Sequence, residues 1–351
     1  MQALGRTIVA ATGAHSKPSE FGSSHVEWAT LHRAKCSTTI GFQMRHNIVS
    51  VSGGKDSTAL LLLAIERNTP NLQAVFADTG HEHPQTYEYI QYLNDTLFPI
   101  RAVKADFTEQ IARKREYVAA KWREKGVSEE NIERVLAAAH PTGNPFLDMC
   151  IWKGRFPSTK ARFCTDELKR NPVMEQVLIP LLDQKQTVWS WQGVRADESL
   201  ARRDLPELDE VGGGLWNYRP ILKWTAQDCF DMHKKHGIKH NPLYEQGMGR
   251  VGCMPCIHAR KDELLEISKR FPEEIKRVAM WEQIVGQAAK RGRSTMMPIL
   301  NQGDTVEEIF ENGNIYQVIE WAQTSRGGKQ LDFIRMMDDA PTCSSIYGLC
   351  E

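Results

Sequence analysis

The stretch "NIVSVSGGKDSTALLLLAIER", residues 47–67, constrains this chain more than any other. A short apolar run meets a turn of small residues, then a lysine, an aspartate and a long apolar run. "NIVSVS" reads as a buried strand and "STALLLLAIERN" as a helix. Ser52, Gly53, Gly54, Lys55, Asp56 and Ser57 therefore lie where strand passes into helix. The first N–H groups of a helix lack intrahelical acceptors and carry positive partial charge. Glycines let that backbone approach a ligand, which makes an anion cradle suited to phosphate or pyrophosphate. Lys55 adds a full charge, and Ser52 and Ser57 add hydroxyl donors. Two glycines alone read equally as an ordinary turn with Ser57 as helix cap. Their place after a first strand, where open α/β sheets bind ligands, favours the site. The G-x-x-x-x-G-K-[ST] pattern of common nucleotide hydrolases is absent.

The same alternation continues. "LQAVFADTG" reads as a second strand and turn, "HPQTYEYIQYLNDTL" as a helix, and "PIRAVKA" as a third strand. "TVWSWQGVRADES" supplies a further strand and loop, and "YRPILKWTAQDCFDMHKKHG" a strand then a helix capped by Thr225 with Asp228 three residues on. Strands alternating with helices predict an α/β fold with a doubly wound, mostly parallel sheet. Residues 108–140, charged and helix-rich, read as an inserted helical hairpin. Residues 1–43, rich in Ser, Gly and His without a sustained period, read as a weakly ordered extension. The organisation expected is then an extension over 1–43, a nucleotide-binding domain over 44–260, and a helical C-terminal region over 261–351 that ends in a cysteine pair.

Acidic and basic residues balance at 44 each, so overall charge gives no argument for nucleic acid. The insertion "ARKREYVAAKWREK" groups basic residues around an aromatic, which suits a nucleic-acid backbone but equally a solvated helix face. No apolar run approaches the roughly 20 residues of a membrane span, and no secretory signal is evident, so a cytoplasmic protein is expected. The eight cysteines then point to buried thiols, metal ligands or redox chemistry rather than a disulfide framework. Cys253 and Cys256 form a Cys-x-x-Cys pair, with Cys150 and Cys164 upstream and Cys343 and Cys350 at the end. Such a pair with two distant cysteines ligates a [4Fe–4S] cluster or zinc, or acts as a bare dithiol. Cys36 and Cys229 read as bystanders, Cys229 in a helix core.

"SGGKDS" resembles the PP-loop of the ATP pyrophosphatase superfamily. "FADTGHEHPQTYEY", "FCTDELKRNPV", "GVRADESLARR", "RPILKWTAQD" and "NPLYEQGMGRVGCMPC" follow in the order of its phosphoadenosine phosphosulfate (PAPS) reductase-like branch. The motif order is also similar to that of DNA-phosphorothioation sulfurtransferases and phage-borne relatives. The resemblance implies an adenine nucleotide alpha hydrolase-like fold that binds ATP at the strand C-termini. The PP-loop would hold the phosphates, and Asp78, Thr79 and Gly80 would lie near the nucleoside. It implies a cluster on Cys164, Cys253 and Cys256, with Cys350 ranked ahead of Cys343 or Cys150 as fourth ligand. Cluster-bearing reductases carry two adjacent cysteines where this chain has Phe163-Cys164.

Lys55, Asp56 and Arg195 are the catalytic candidates. Arg195 and Arg202 are candidate anion clamps, since guanidinium forks suit phosphate or sulfate. Asp56 and Asp78 are candidate Mg²⁺ carboxylates, Asp78 alternatively a turn residue. Lys169 would face nucleotide or cluster. The expected activity is adenylylation of an acceptor with pyrophosphate release in support of sulfur transfer. A cysteine desulfurase or thioredoxin-like protein would be the sulfur donor, nucleic acid stands among the acceptors, and a homo-oligomer is compatible. A thiol-dependent PAPS or APS reductase, a sulfate adenylyltransferase subunit and a non-catalytic nucleotide sensor are the alternatives. The reductase reading must contend with a terminus, "SSIYGLCE", that lacks Glu-Cys-Gly-Leu-His.

Overall fold

The computed structural model of the chain describes residues 44–297, 303–325, 347 and 349. The expected extension over 1–43, together with Cys36, Cys343 and Cys350, lies outside them.

Strand β1 (Arg45–Ser50) is flanked on both sides, and its side chains serve two cores in alternation. Val49 and Val51 pack with Ala74, Phe76 and Trp191 beneath helices α1 (Lys55–Glu66) and α2 (Pro84–Thr96). Ile48 points the other way and joins Val75, Val103, Val188, Leu215, Val177 and Leu178. A strand apolar on both faces belongs inside a sheet covered on both sides. The strands β2 (Leu72–Asp78), β3 (Ile100–Lys104), β4 (Thr187–Trp191), β5 (Leu208–Gly212) and β6 (Leu215–Tyr218) complete a six-stranded sheet in the order β3-β2-β1-β4-β6-β5. Every pairing is parallel except β5 with β6. The chain winds outward from β1 to β3 and then returns to the other side of β1 at β4. That reversal opens the crevice where α/β sheets take ligands.

The strand expected within "YRPILKW" lies slightly earlier, at Leu215–Tyr218, and residues 220–223 form a turn. Pro220 lacks the N–H that the next ladder position needs. Helix Ala226–Lys235 begins as expected, with Thr225 and Asp228 capping each other. Residues 163–183 form one helical run in which two stretches widen to π turns, Asp166–Arg170 and Met174–Leu178. Each lies just before a proline, Pro172 and Pro180. A proline ring clashes with the carbonyl four residues back, and a wider turn relieves that contact.

The helices of the insertion, Thr108–Lys121 and Glu129–Ala138, pack with Lys261–Arg270, Pro272–Ala288 and Ile315–Ala322 into a third core. Glu282 is buried in it and accepts from Met296 N at 2.8 Å and Ile315 N at 3.0 Å. Burial raises its carboxyl to about 7 against those two donors. A carboxyl raised in the folded state contributes most stability below its unfolded value, and that contribution falls as pH rises from about 4.5 to about 7. Urea midpoints at pH 5.5 and pH 8 are expected to differ more for the wild type than for Glu282→Gln. The gap corresponds to roughly 2 kcal/mol. Equal pH dependence in the two proteins would refute this. Among the described residues no helix is long and apolar enough to cross a membrane.

Candidate functional site

Gly53 stands at φ +75°, a conformation L side chains rarely adopt, and a Cβ there would lie 2.9 Å from Thr86 Cγ2. The turn after β1 therefore needs a glycine both for its backbone and for its fit against α2. Ser57 braces it: its Oγ accepts from Ser52 N at 3.0 Å and donates to Gly54 O at 2.9 Å. Residues remote in sequence hold the rest. Asn241 Nδ2 donates to Gly53 O at 3.2 Å, Lys55 N donates to the Tyr244 hydroxyl at 2.9 Å, and His233 Nε2 lies 3.0 Å from Lys55 O. Tyr244 thus satisfies one of the N–H groups that the sequence offers to an anion.

The charged candidates gather behind this loop. Asp56 lies 2.6 Å from Arg195 Nε and 3.3 Å from Lys55 Nζ, and it accepts from Cys229 Sγ at 3.3 Å. Arg195 also pairs with Asp197 at 2.6 Å. Lys55 is 4% exposed and Arg195 5% exposed, so both cations are buried beside one carboxylate. The Lys55 ammonium faces the rings of Tyr244 at 5.5 Å and Tyr347 at 5.0 Å. Arg202 pairs with Glu198 on the more exposed side of the same loop. Cys229 is buried, as its helix position suggests, but its thiol faces Asp56, and burial followed by that charge pushes it far up.

In front of the loop, on the sheet face covered by residues 163–183, lies a cavity of about 450 Å³. Ser52, Val75, Phe76, Ala77, Val173 and Met174 line one part of it, and Lys169, Arg250, Cys253, Cys256 and Glu82 another. Its apolar part suits a flat ring and its basic part an anion. Gly80, at φ +73°, brings the second turn against Asn144 and Pro145, where a Cβ would lie 2.7 Å from Pro145 Cδ. Asp78 Oδ1 accepts from Gly80 N at 2.9 Å and from the Tyr87 hydroxyl at 2.7 Å, so Asp78 acts as a turn residue. Thr79 Oγ1 donates to Glu82 Oε1 at 2.7 Å and lies 3.5 Å from Cys253 Sγ. Gly80→Ala, strained in φ and clashing with Pro145, is expected to weaken nucleotide binding about tenfold, equivalent to roughly 1.4 kcal/mol. Gly143→Ala, with nothing within 4 Å of its Cβ, is the comparison for φ strain alone and should leave binding near wild type. Calorimetric titration with nucleotide checks both.

Lys169 gathers the cysteines. It opens to the cavity yet is walled in by Cys253, Glu82, Cys256 and Cys164, whose charges, Cys253 first, hold its ammonium above the ordinary value against burial. Burial pushes the Cys253 thiol to about 12, with Lys169 opposing. Cys164 is raised by burial as well. Cys150 is fully buried in the helical core, where burial raises it strongly. The donors suit a thiolate-bound group in kind, but among the described residues no three Cys, His, Asp or Glu side chains converge as a metal site. Cys350 and Cys343, the expected sources of a fourth thiol, lie outside the described residues. The two Mg²⁺ candidates are both engaged by protein groups, Asp56 by Arg195 and Asp78 by its own turn.

The sequence pointed to the loop, the Asp-Thr-Gly turn, Lys169 and the cysteines. It missed Tyr244, Asn241, His233 and Glu82. "NPLYEQG" and "GHEH" were in view, but nothing in their spacing says that they close on the loop.

Known proteins resemble this chain over much of its length. An uncharacterized 37.8 kDa protein from the gpa 5′ region of Escherichia phage 186 is 51% identical over 323 residues, 87% of this chain and 96% of its own. An uncharacterized nin region protein, ORF290, of Escherichia phage lambda is 28% identical and covers 78% of this chain and 87% of its own. The phosphoadenosine 5′-phosphosulfate reductase of Erwinia tasmaniensis is 28% identical over 214 residues, 61% of this chain and 72% of its own. The phosphoadenosine phosphosulfate reductase domain matches residues 46–259, from the first strand through the Cys-x-x-Cys loop and over more than half of the chain, and the chain belongs to that family.

Proposed function

We propose that this protein binds ATP in the cavity beside Ser52–Ser57, transfers its adenylyl group to an acceptor oxygen with release of pyrophosphate, and supports displacement of AMP by sulfur. One observation carries the proposal: a single cavity is lined by Ser52 of the loop, by Lys169 and by Cys253 and Cys256. The apolar side formed by Val75, Phe76 and Met174 would take the adenine ring. Backbone N–H groups of the loop would hold phosphate oxygens, and Lys169 and Arg250 would face the reacting end. Mg²⁺ would arrive on the nucleotide phosphates. Cys164, Cys253 and Cys256 are the residues that would hold an iron–sulfur cluster, which when bound supplies redox or sulfur-binding capacity beside the nucleotide. A cysteine desulfurase or thioredoxin-like protein would provide the sulfur, and a nucleic acid is one acceptor to test. Purified protein with ATP, Mg²⁺ and candidate acceptors is expected to release pyrophosphate and to show iron with a broad band near 400 nm. Absence of pyrophosphate with every acceptor would overturn the adenylylation, and zinc without iron would overturn the cluster.

A PAPS reductase activity is the second reading, and Tyr347 favours it. Its ring lies against Tyr244 and Phe230, and its hydroxyl donates to Gly249 O at 2.6 Å. That contact places Tyr347, which precedes Cys350 by three positions in the sequence, beside the loop. Sulfite release from PAPS with thioredoxin, abolished by Cys350→Ser, would select this reading.

A further inference from the structure

The Cys-x-x-Cys loop is held by groups from two distant elements. Met254 N donates to His81 O at 2.8 Å, and Glu82 and Cys253 form an antiparallel bridge. His81 Nε2 lies 3.0 Å from Pro255 O. A carbonyl can only accept, so Nε2 carries the proton and Nδ1 keeps its lone pair. That lone pair faces Arg277 Nη2 at 3.2 Å, and the same Nη2 donates to Met254 O at 2.9 Å. Arg277 is fixed in turn by an ion pair with Glu274 and by the Trp281 ring, 5.0 Å from its guanidinium. His81 is fully buried, stacked on Phe146 at 4.2 Å and 5.0 Å from Trp281. Burial first and then the Arg277 charge keep the imidazole well below its ordinary value, consistent with the neutral tautomer the hydrogen bonds require.

The carbonyls of both residues between the cysteines are therefore occupied, one by Arg277 and one by His81. Arg277 belongs to helix Pro272–Ala288, beyond residues 46–259 where the family matches. His81 belongs to the turn whose Thr79 and Glu82 contact Cys253. We infer that Arg277 and His81 are positioning residues that act as one latch, setting how Cys253 and Cys256 are presented to the nucleotide cavity. The latch ties the cysteine pair to the turn that borders the cavity, so helix Pro272–Ala288 takes part in the site although none of the cavity's lining residues comes from it. This rests on the reading of Cys253 and Cys256 as the reactive or ligating pair.

The test is labelling by iodoacetamide of the full-length protein as purified, read by mass spectrometry at each cysteine. Arg277→Met keeps the stem on Trp281 and removes the hydrogen bonds. It is expected to speed labelling of Cys253 and Cys256 roughly fivefold, the factor one hydrogen bond is worth, with Cys164 unchanged. His81→Phe keeps the stacking and removes the bonds to Pro255 O and to Arg277, with the same expected result. The double variant should label no faster than either single one, because both break one latch. ATP affinity of Arg277→Met should stay within about twofold of wild type, since the phosphate loop is held by Tyr244 and Asn241 instead. Unchanged labelling, or multiplied effects in the double variant, would overturn the inference. Should Arg277→Met fail to fold, Arg277→Lys, which keeps the charge and one hydrogen bond, must fall between wild type and His81→Phe. Wild-type protein that binds no ATP would sink the proposed function while leaving the labelling result decisive here.

Discussion

Asp56→Ala is expected to destabilise the protein by about 3 kcal/mol, the low end of what breaking a buried ion pair costs. Asp56 is the carboxylate shared by Arg195 and Lys55, both almost fully buried. Removing it leaves two cations in a low-dielectric region, and only Arg195 keeps a second carboxylate, Asp197. Asp197 is 48% exposed, so Asp197→Ala should cost less than about 1 kcal/mol. Asp56→Asn, which keeps the shape and one acceptor, should fall between them. Denaturant unfolding of the three variants checks the order. A loss for Asp56→Ala no larger than for Asp197→Ala would show that the two cations do not depend on it. Nucleotide binding should fall in parallel, because Asp56 opens helix α1 directly behind the glycines.

Cys253→Ser and Cys256→Ser are each expected to lower sulfur-transfer product roughly 100-fold or more, the scale seen when an essential group is removed rather than a contact weakened. ATP–pyrophosphate exchange should stay within about twofold of wild type in both. The reason is spatial: the cysteines line the part of the cavity beside Lys169 and Glu82, while the loop is braced by Ser57, Asn241 and Tyr244. Cys164→Ser divides the chemistries further. A thiolate-bound cluster needs Cys164 and loses activity with it, whereas a Cys253–Cys256 dithiol does not. Exchange lost together with transfer in the cysteine variants would mean that the cavity does not work as two separable halves.

The alternation of "NIVSVS", "LQAVFADTG" and "PIRAVKA" with apolar helices was enough to read a parallel, doubly wound sheet, because strand and helix periods differ and each segment was long enough to show its own. The hexad at Ser52–Ser57 was legible for the same reason, since its place after the first strand is a local property. The strand at Leu215–Tyr218 lies a few residues before the run that suggests it, because "RPILKW" is apolar enough to resemble a strand while Pro220 forbids one. Arg195 shows the limit more sharply. Its loop reads as an anion clamp, and the structure buries its guanidinium against Asp56 and Asp197 behind the glycine turn. A side chain's partner depends on which strands become neighbours, and β4 comes to lie beside β1 only through the crossover that follows β3.

The sequence by itself determined the elements, the glycine turn after the first strand and the inventory of thiols, all of which depend on residues close together in the chain. Only the tertiary structure decided that Tyr244 takes the first helix N–H, that Glu82 and Lys169 face Cys253, and that Arg277 reaches the Cys-x-x-Cys loop both directly at Met254 O and through His81. The Lys55–Tyr244, Glu82–Cys253 and His81–Arg277 contacts join residues 171 to 196 positions apart. They are settled by how helices pack on the two faces of the sheet, and no local pattern carries that information.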